Sequence, residues 1–506
     1  MQSIFQTVGV VGTGAMGRGI AQMAAQAGSR VRLFDLQPGA ADAARAALAD
    51  TWSKLVAKGR LEAGQQETYL AHISTVPALS DLADCDLVVE AIVEKLDVKQ
   101  RLFADLEAIV PTQTVLATNT SSLSVTAIAA ALKHPQRLAG YHFFNPVPLM
   151  RVVEVIAGLK TSAAVCQQLT DYTRQFGHTP VSAQDTPGFI VNHAGRGYGT
   201  EALRVAGERV ADFATIDRIL RDQMGFKLGP FELMDLTALD VSHPVMESIY
   251  RQYYDEPRYR PSVITAQRLA GGVVGKKVGE GFYAYDNGAA VVPPEPAAPE
   301  VNPLPPVWVS PKAARRAELY QLLKNLGASI ETAQAPSAAA LILVAPLGLD
   351  VTTLAAVERL DPTRTIGIDM MLDDAATKRR VLATNPATRP DMRDAAHALF
   401  AKDGKAVSVI KDSGGFVTQR VVATIVNIAA DMCQQGICSP KDLEVAVTLG
   451  LGYPMGPLAI GDRIGPTNVL EILFNMGTVY ADPRYRPSPW LRRRGALGLS
   501  LMHEEA

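Results

Sequence analysis

Three observations predict an α/β sheet domain followed by an all-α domain, with the pair then repeated in a degenerate second copy. Short β-rich runs alternate with helical patterns through residue 185, as parallel strands joined by crossover helices do. From Pro187 to about Met246 the periodicity is helical, with few β runs. Landmarks of this stretch then return at a constant offset of 227 residues. Gly188-Phe189 comes back as Gly415-Phe416, Gly229-Pro230 as Gly456-Pro457, and Asp235 as Asp462. Pro135, Arg137 and Gly140 face Pro362, Arg364 and Gly367, and Pro257-Arg258-Tyr259-Arg260-Pro261 returns at 226 as Pro483-Arg484-Tyr485-Arg486-Pro487.

The first strand is read at Val8 to Val11, followed by a helix through Gln26 and a second strand at Arg30 to Phe34. Further buried-strand patterns span 87–91, 114–118, 138–143 and 152–156. Seven prolines between Asn287 and Pro306 read as an extended, semi-rigid connection. The expected domains are therefore 1–185 (sheet), 186–285 (helical), 286–306 (linker), 307–411 (worn sheet domain) and 412–506 (second helical domain). In the second copy the strand Val307-Trp308-Val309 runs into Ser310-Pro311-Lys312, with no glycine turn.

Composition narrows the function classes. The 506 residues are 48% hydrophobic and 20% charged, which excludes a disordered or fibrous chain. Forty-nine Lys+Arg against 51 Asp+Glu leave a net charge of −2, so no basic excess exists to hold nucleic acid or an anionic membrane. No apolar run approaches the ~20 residues of a membrane span. The four cysteines sit at no disulfide or zinc spacing, so a reducing compartment is expected and no metal site is read. A strand pattern begins almost at once, leaving no room for a leader, and a cytoplasmic protein is expected.

Gly12-Thr13-Gly14-Ala15-Met16-Gly17 fits G-x-G-x-x-G between a strand and a helix, and Asp35 ends the next strand 18 residues after Gly17. Such a turn lets backbone approach a pyrophosphate at a helix N-terminus, while the acid accepts from ribose hydroxyls. Asp35 would repel a 2′-phosphate, so NAD is favoured over NADP.

His142 and Glu154 lie on successive strand patterns. If these fold back about Pro148, positions summing to 296 pair, and 142 faces 154. A carboxylate beside an imidazole fixes its tautomer and suits it to general-base work. A purely structural His–Glu pair fits the same geometry. Asn119-Thr120-Ser121-Ser122 follows a strand's C-terminal end, where open α/β sheets bind ligands, although a serine there equally suits a cap for the helix starting near Val125. Asn192 is a polar residue on an otherwise apolar helix entry.

Together these motifs resemble the L-3-hydroxyacyl-CoA dehydrogenase family. The resemblance rests on Gly12 to Gly17, Asn119 to Leu123, Gly140 to Pro148, Thr186 to Asn192, Gly229 to Leu233 and Gly275 to Tyr283, and it is continuous over residues 1–285. It implies a Rossmann-type NAD-binding domain with a helical substrate domain. His142 would be the general base, Glu154 its orienting partner, and Ser121 and Asn192 the donors to substrate oxygens. The loop residues Gly12, Gly14, Met16 and Gly17, with Asp35, Glu94, Lys99, Asn119 and Lys277, fall at NAD-contacting positions. Lys58 matches a lysine near the CoA 3′-phosphate.

Within the family the duplicated layout resembles the bacterial phenylacetate-pathway 3-hydroxyadipyl-CoA dehydrogenases, which implies an acyl-CoA with a distal carboxylate. Arg196, four residues after Asn192, is the candidate reader of that carboxylate. The alternatives are a general 3-hydroxybutyryl-CoA dehydrogenase, a hydroxy-acid dehydrogenase without CoA, and a crystallin-like NAD-binding protein.

At the 227 offset His142 becomes Asp369 and Asn192 becomes Gln419, so the second copy is expected to lack both catalysis and cofactor. Single-copy relatives dimerise through their helical domains. The expectation here is an intramolecular pseudo-dimer of the two helical domains, with further homo-oligomerisation open.

Overall fold

The structure, a computed structural model, describes residues 3–505. The chain packs as two compact units, one of residues up to 193 together with 435–451, the other of 194–434 together with 452–505.

The first unit is built on an eight-stranded sheet. Its strands are β1 (Thr7–Val11), β2 (Arg30–Phe34), β3 (Ile73–Thr75), β4 (Leu87–Glu90), β5 (Val115–Thr118), β6 (Leu138–Phe143), β7 (Val152–Ala157) and β8 (Thr179–Gln184). They lie in the order 3-2-1-4-5-6-7-8, and every pair is parallel except β6 with β7. β1, β4, β5 and β6 are buried along their whole length, which is why they read as unbroken apolar runs. The Ala15–Gln26 helix covers β1 and β2 with Ile20, Ala21, Met23 and Ala24, and Trp52 of the Ala40–Ala57 helix is wholly enclosed. Sequence reasoning passes over β3 and β8. β3 is three residues long. β8 carries Pro180 and alternates buried with exposed positions, a pattern that an edge strand tolerates.

The helix covering β7 and β8 comes from far along the chain. Pro440–Gly450 lies on these strands, and the Gln184 N–H donates to the Ile437 carbonyl at 2.8 Å.

In the second unit, β9 (Ala284–Asp286) and β10 (Ala289–Val291) form a hairpin at the start of the proline-rich stretch. Glu295 beyond it is fixed by Arg379 through bonds of 2.7 and 2.8 Å. A six-stranded sheet follows, with β11 (Val307–Val309), β12 (Ile330–Glu331), β13 (Leu341–Val344), β14 (Thr365–Ile368), β15 (Arg379–Ala383) and β16 (Ala406–Ile410) in the order 12-11-13-14-15-16. The 227 offset carries β5 to β8 onto β13 to β16, and β14 with β15 is again the antiparallel pair. β3 and β4 have no counterpart among these strands.

The packing seen on β8 also recurs. Lys411 N–H donates to the Val210 carbonyl at 3.0 Å, the same bond moved by 227 with the copies exchanged, and the Phe213–Met224 helix lies on β15.

Within the second unit the Arg196–Gly207 helix meets the Thr418–Gln434 helix so closely that a Cβ on Gly197 would lie 3.2 Å from the Ile425 Cα. Glu201 is buried there, taking Arg420 at 2.6 Å, Arg484 at 3.2 Å and the Tyr485 hydroxyl at 2.7 Å. Arg258 likewise reaches Asp431 at 2.5 Å. No helix among the described residues is long and apolar enough to cross a membrane.

Candidate active site

The glycine turn sorts its residues by what each must avoid. Gly12 has φ +92°, and a Cβ on it would lie 2.6 Å from the Ala91 carbonyl oxygen. A Cβ on Gly17 would lie 1.8 Å from the Gly12 oxygen. Both glycines are therefore demanded by the protein's own packing. Gly14 is different, because a Cβ there meets nothing within 4 Å. It caps the Ala15–Gln26 helix with no side-chain bond to the first N–H groups. Open space over an uncapped helix N-terminus fits a pyrophosphate. Met16, half-buried, packs its side chain on the sheet's core.

Asp35 stands at the end of β2. Its Oδ2 accepts the N–H and hydroxyl of Thr13, both at 2.8 Å, and its Oδ1 accepts the Gln37 N–H at 3.0 Å. Burial raises the carboxyl's pKa, but these hydrogen bonds outweigh it and leave the group below the ordinary aspartate value. The acid thus holds the glycine loop against the end of β2.

Glu94 organises the segment after β5. One oxygen accepts the Thr120 hydroxyl at 2.6 Å, the Ser121 N–H at 2.9 Å and the Ser122 N–H at 3.0 Å. The other lies 3.2 Å from Lys99. Burial opposes ionisation, but Lys99 and the Thr120 and Ser121 bonds prevail, so its pKa is lowered. Lys99 is itself buried between Glu94 and Glu90, and Glu90 takes the Thr118 hydroxyl at 2.7 Å. Sequence reasoning misses Glu90. Its one signal is a single acid closing an otherwise apolar strand, Leu87-Val88-Val89-Glu90.

β6 and β7 carry the central pair. Their register sets Gly140 against Ile156, Tyr141 against Val155 and His142 against Glu154. His142 Nδ1–H donates to Glu154 Oε2 at 2.5 Å, with the ring 5% exposed and the carboxylate fully buried. Glu154 Oε1 accepts the backbone N–H groups of Ile190 at 2.9 Å and Val191 at 2.8 Å. Gly188 and Phe189 both adopt positive φ, +79° and +48°, turning the chain so that these two N–H groups face the acid. With both carboxylate oxygens engaged and Nδ1 occupied, Nε2 is the nitrogen that can take a proton. Phe144 and Phe189 flank the ring at 4.4 and 5.8 Å between centroids.

Asn119 joins the two halves of this site. Its Oδ1 accepts the Phe143 N–H at 2.8 Å, one residue from His142, and Ser121 follows two residues later on the loop held by Glu94. Asn192 directly follows the clamp residue Val191, within the Val191–Ala194 helix. The structure therefore bonds His142 to Glu154 directly, ties Asn119 to the residue after His142 and Ser121 to Glu94, and places Asn192 next along the chain from the clamp. Lys58 is exposed just past the Ala40–Ala57 helix. Arg196 and Lys277 belong to the other compact unit, where Lys277 pairs with Asp240.

At the equivalent place in the second copy Asp369 stands for His142 and Val381 for Glu154. Asp369 accepts the Gln419 amide at 2.9 Å instead. The position therefore holds no imidazole and no carboxylate partner for one, and desolvation raises the pKa of Asp369.

This arrangement is that of a pyridine-nucleotide dehydrogenase acting on a hydroxyl. The sequence matches the 3-hydroxyacyl-CoA dehydrogenase NAD-binding domain over residues 7–186, and the C-terminal domain of the same family over both 188–285 and 415–500. Residues 333–413 match the 3-hydroxybutyryl-CoA dehydrogenase reduced Rossmann-fold domain. The chain is 38% identical to 3-hydroxyadipyl-CoA dehydrogenase of Escherichia coli over 97% of this chain and 98% of that one. It is 41% identical to a probable 3-hydroxybutyryl-CoA dehydrogenase of Deinococcus radiodurans over 55% of this chain and 99% of the relative. A crystal structure of 3-hydroxybutyryl-CoA dehydrogenase from E. coli K12 superposes with a TM-score of 0.85 at 36% identity, covering 97% and 98% of the two chains. The chain belongs to the 3-hydroxyacyl-CoA dehydrogenase family of NAD-dependent oxidoreductases.

Proposed function

We propose that the chain oxidises the 3-hydroxyl of (3S)-3-hydroxyadipyl-CoA to the 3-oxo group, with His142 as general base and Glu154 as its orienting partner. The observation that carries this reading is the buried pair itself. Nδ1 is locked on a carboxylate that two backbone N–H groups hold in turn. Bound NAD supplies the hydride acceptor. His142 Nε2 takes the hydroxyl proton, and Glu154 stabilises the imidazolium that results. Ser121 and Asn192 bind the substrate oxygens, Glu94 and Lys99 fix the loop at the cofactor's edge, Lys277 contacts the NAD, and Lys58 serves the CoA 3′-phosphate.

The adipyl assignment draws on the name of the full-length E. coli relative and on Arg196. Arg196 is half-buried near Tyr453, and desolvation pushes its guanidinium down to about 10. Tyr453 stacks edge-on to Tyr198 and Phe226, with ring centroids 5.8 and 5.0 Å away, and its buried hydroxyl has no hydrogen-bond partner among the described residues. An arginine and an unsatisfied phenol in an aromatic setting suit a carboxylate. A second reading, 3-hydroxybutyryl-CoA as substrate, is favoured by the name of the full-length structural relative. Steady-state NADH oxidation with 3-oxoadipyl-CoA beside acetoacetyl-CoA decides between them. A large preference for the first supports the adipyl assignment, and equal rates support the second.

The paired helical domains around Glu201 and Arg420 act, in this reading, as an intramolecular pseudo-dimer in a cytoplasmic enzyme with one working site. The five segments expected from the sequence remain its proposed domains.

A further inference from the structure

We infer that Gly450, in the worn second copy, is a positioning residue for Glu154 in the first, its missing side chain letting the Val191 backbone sit against the carboxylate. The inference rests on the His142–Glu154 reading above. The Pro440–Gly450 helix packs on β7 and β8 in the same compact unit as the pair. Its last residue, Gly450, faces both stretches of chain that hold Glu154. A Cβ there would lie 2.9 and 3.1 Å from the two methyls of Val191 and 3.5 Å from Val152. Val191 donates its N–H to Glu154, and Val152 lies two residues before Glu154 on β7. Both valines are buried at 2% exposure or less, so neither has space to retreat into.

Backbone torsion is not the reason for glycine here, because Gly450 is absent from the positive-φ residues and ends a regular helix. The reason is space. The duplicated fold contains its own control. Moved by 227 with the copies exchanged, Gly450 against Val191 becomes Gln223 against Thr418, a side-chain hydrogen bond of 2.5 Å. There the position of Glu154 is held by Val381, and no acid needs positioning. A bare glycine occurs at the contact that backs a carboxylate, and a full side chain at the one that does not.

The test is a cycle of Gly450→Ala, Val191→Ala and the double variant in the full-length enzyme. An added methyl at 450 must push Val191 by a few tenths of an ångström, which loosens the clamp and with it the imidazole. A shift of that size should lower kcat about tenfold. The KM for NAD should stay within about twofold, because the glycine turn is untouched. The double variant restores the volume, so it should fold and recover most of the lost kcat. Wild-type kcat in Gly450→Ala overturns the inference. So does a double variant that folds yet turns over about tenfold more slowly than the native enzyme, an outcome that decides even if the single variant does not fold. His142→Gln and Glu154→Gln run alongside. If they retain activity, the base-pair reading itself fails. If they lose it while Gly450→Ala does not, the role of Gly450 alone is wrong.

Discussion

Arg420 and Glu201 meet at 2.6 Å with both side chains removed from water. Burial pushes the Glu201 carboxyl upward, but Arg420 and Arg484 outweigh it and hold the group below its ordinary 4.5. Its contribution to stability is therefore complete above pH 4.5 and fades as the pH falls through the lower folded-state value. Glu201→Gln leaves two buried guanidinium groups short of charge and should cost about 3–5 kcal/mol in urea unfolding at pH 7. The gap from the native chain should narrow in acid, where the native glutamate also loses its charge.

Gly14 and Gly17 should fail in different ways when changed to alanine. Gly17→Ala forces a methyl into the Gly12 carbonyl and should lower the thermal midpoint of the NAD domain. Gly14→Ala has room within the protein, so its melting temperature should be native-like. NADH affinity by fluorescence titration should nevertheless fall about tenfold or more, because the methyl occupies the pyrophosphate's space.

Asp35 should set the choice of nucleotide. Asp35→Ser removes the charge that repels a 2′-phosphate and a charge-assisted bond to ribose worth about 1.5–3 kcal/mol. Thus kcat/KM for NAD should fall roughly 10- to 100-fold and that for NADP should rise. An unchanged NAD-to-NADP ratio would remove Asp35 from the ribose site.

Arg196→Ala should slow turnover of 3-oxoadipyl-CoA far more than that of acetoacetyl-CoA, by about tenfold or more in the ratio of kcat/KM. Equal losses on both substrates would make Arg196 a structural residue.

The pairing of His142 with Glu154 is legible in the sequence because an antiparallel strand pair has period two. Once the turn is placed at Pro148, the register leaves no freedom. The glycine turn is legible for a related reason, since its spacing encodes packing between neighbours along the chain. Glu90 is not, because its meaning depends on Lys99 arriving from the next helix and Thr118 from the next strand. Gly450 is further from reach, with 259 residues separating it from Val191. The 227 offset reveals a repeat but does not tell which copy's helix lies on which copy's sheet.

The bond from Gln184 to Ile437 carries a consequence for how the protein is made. Some 250 residues lie between the two, so at about 5–20 residues per second the ribosome needs roughly 13–50 s to deliver the cover for β8 after the strand itself has emerged. For that interval the nascent chain holds an unsealed sheet edge, open to pairing with other strands. The sheet that carries His142 and Glu154 is synthesised well before the segment that covers it.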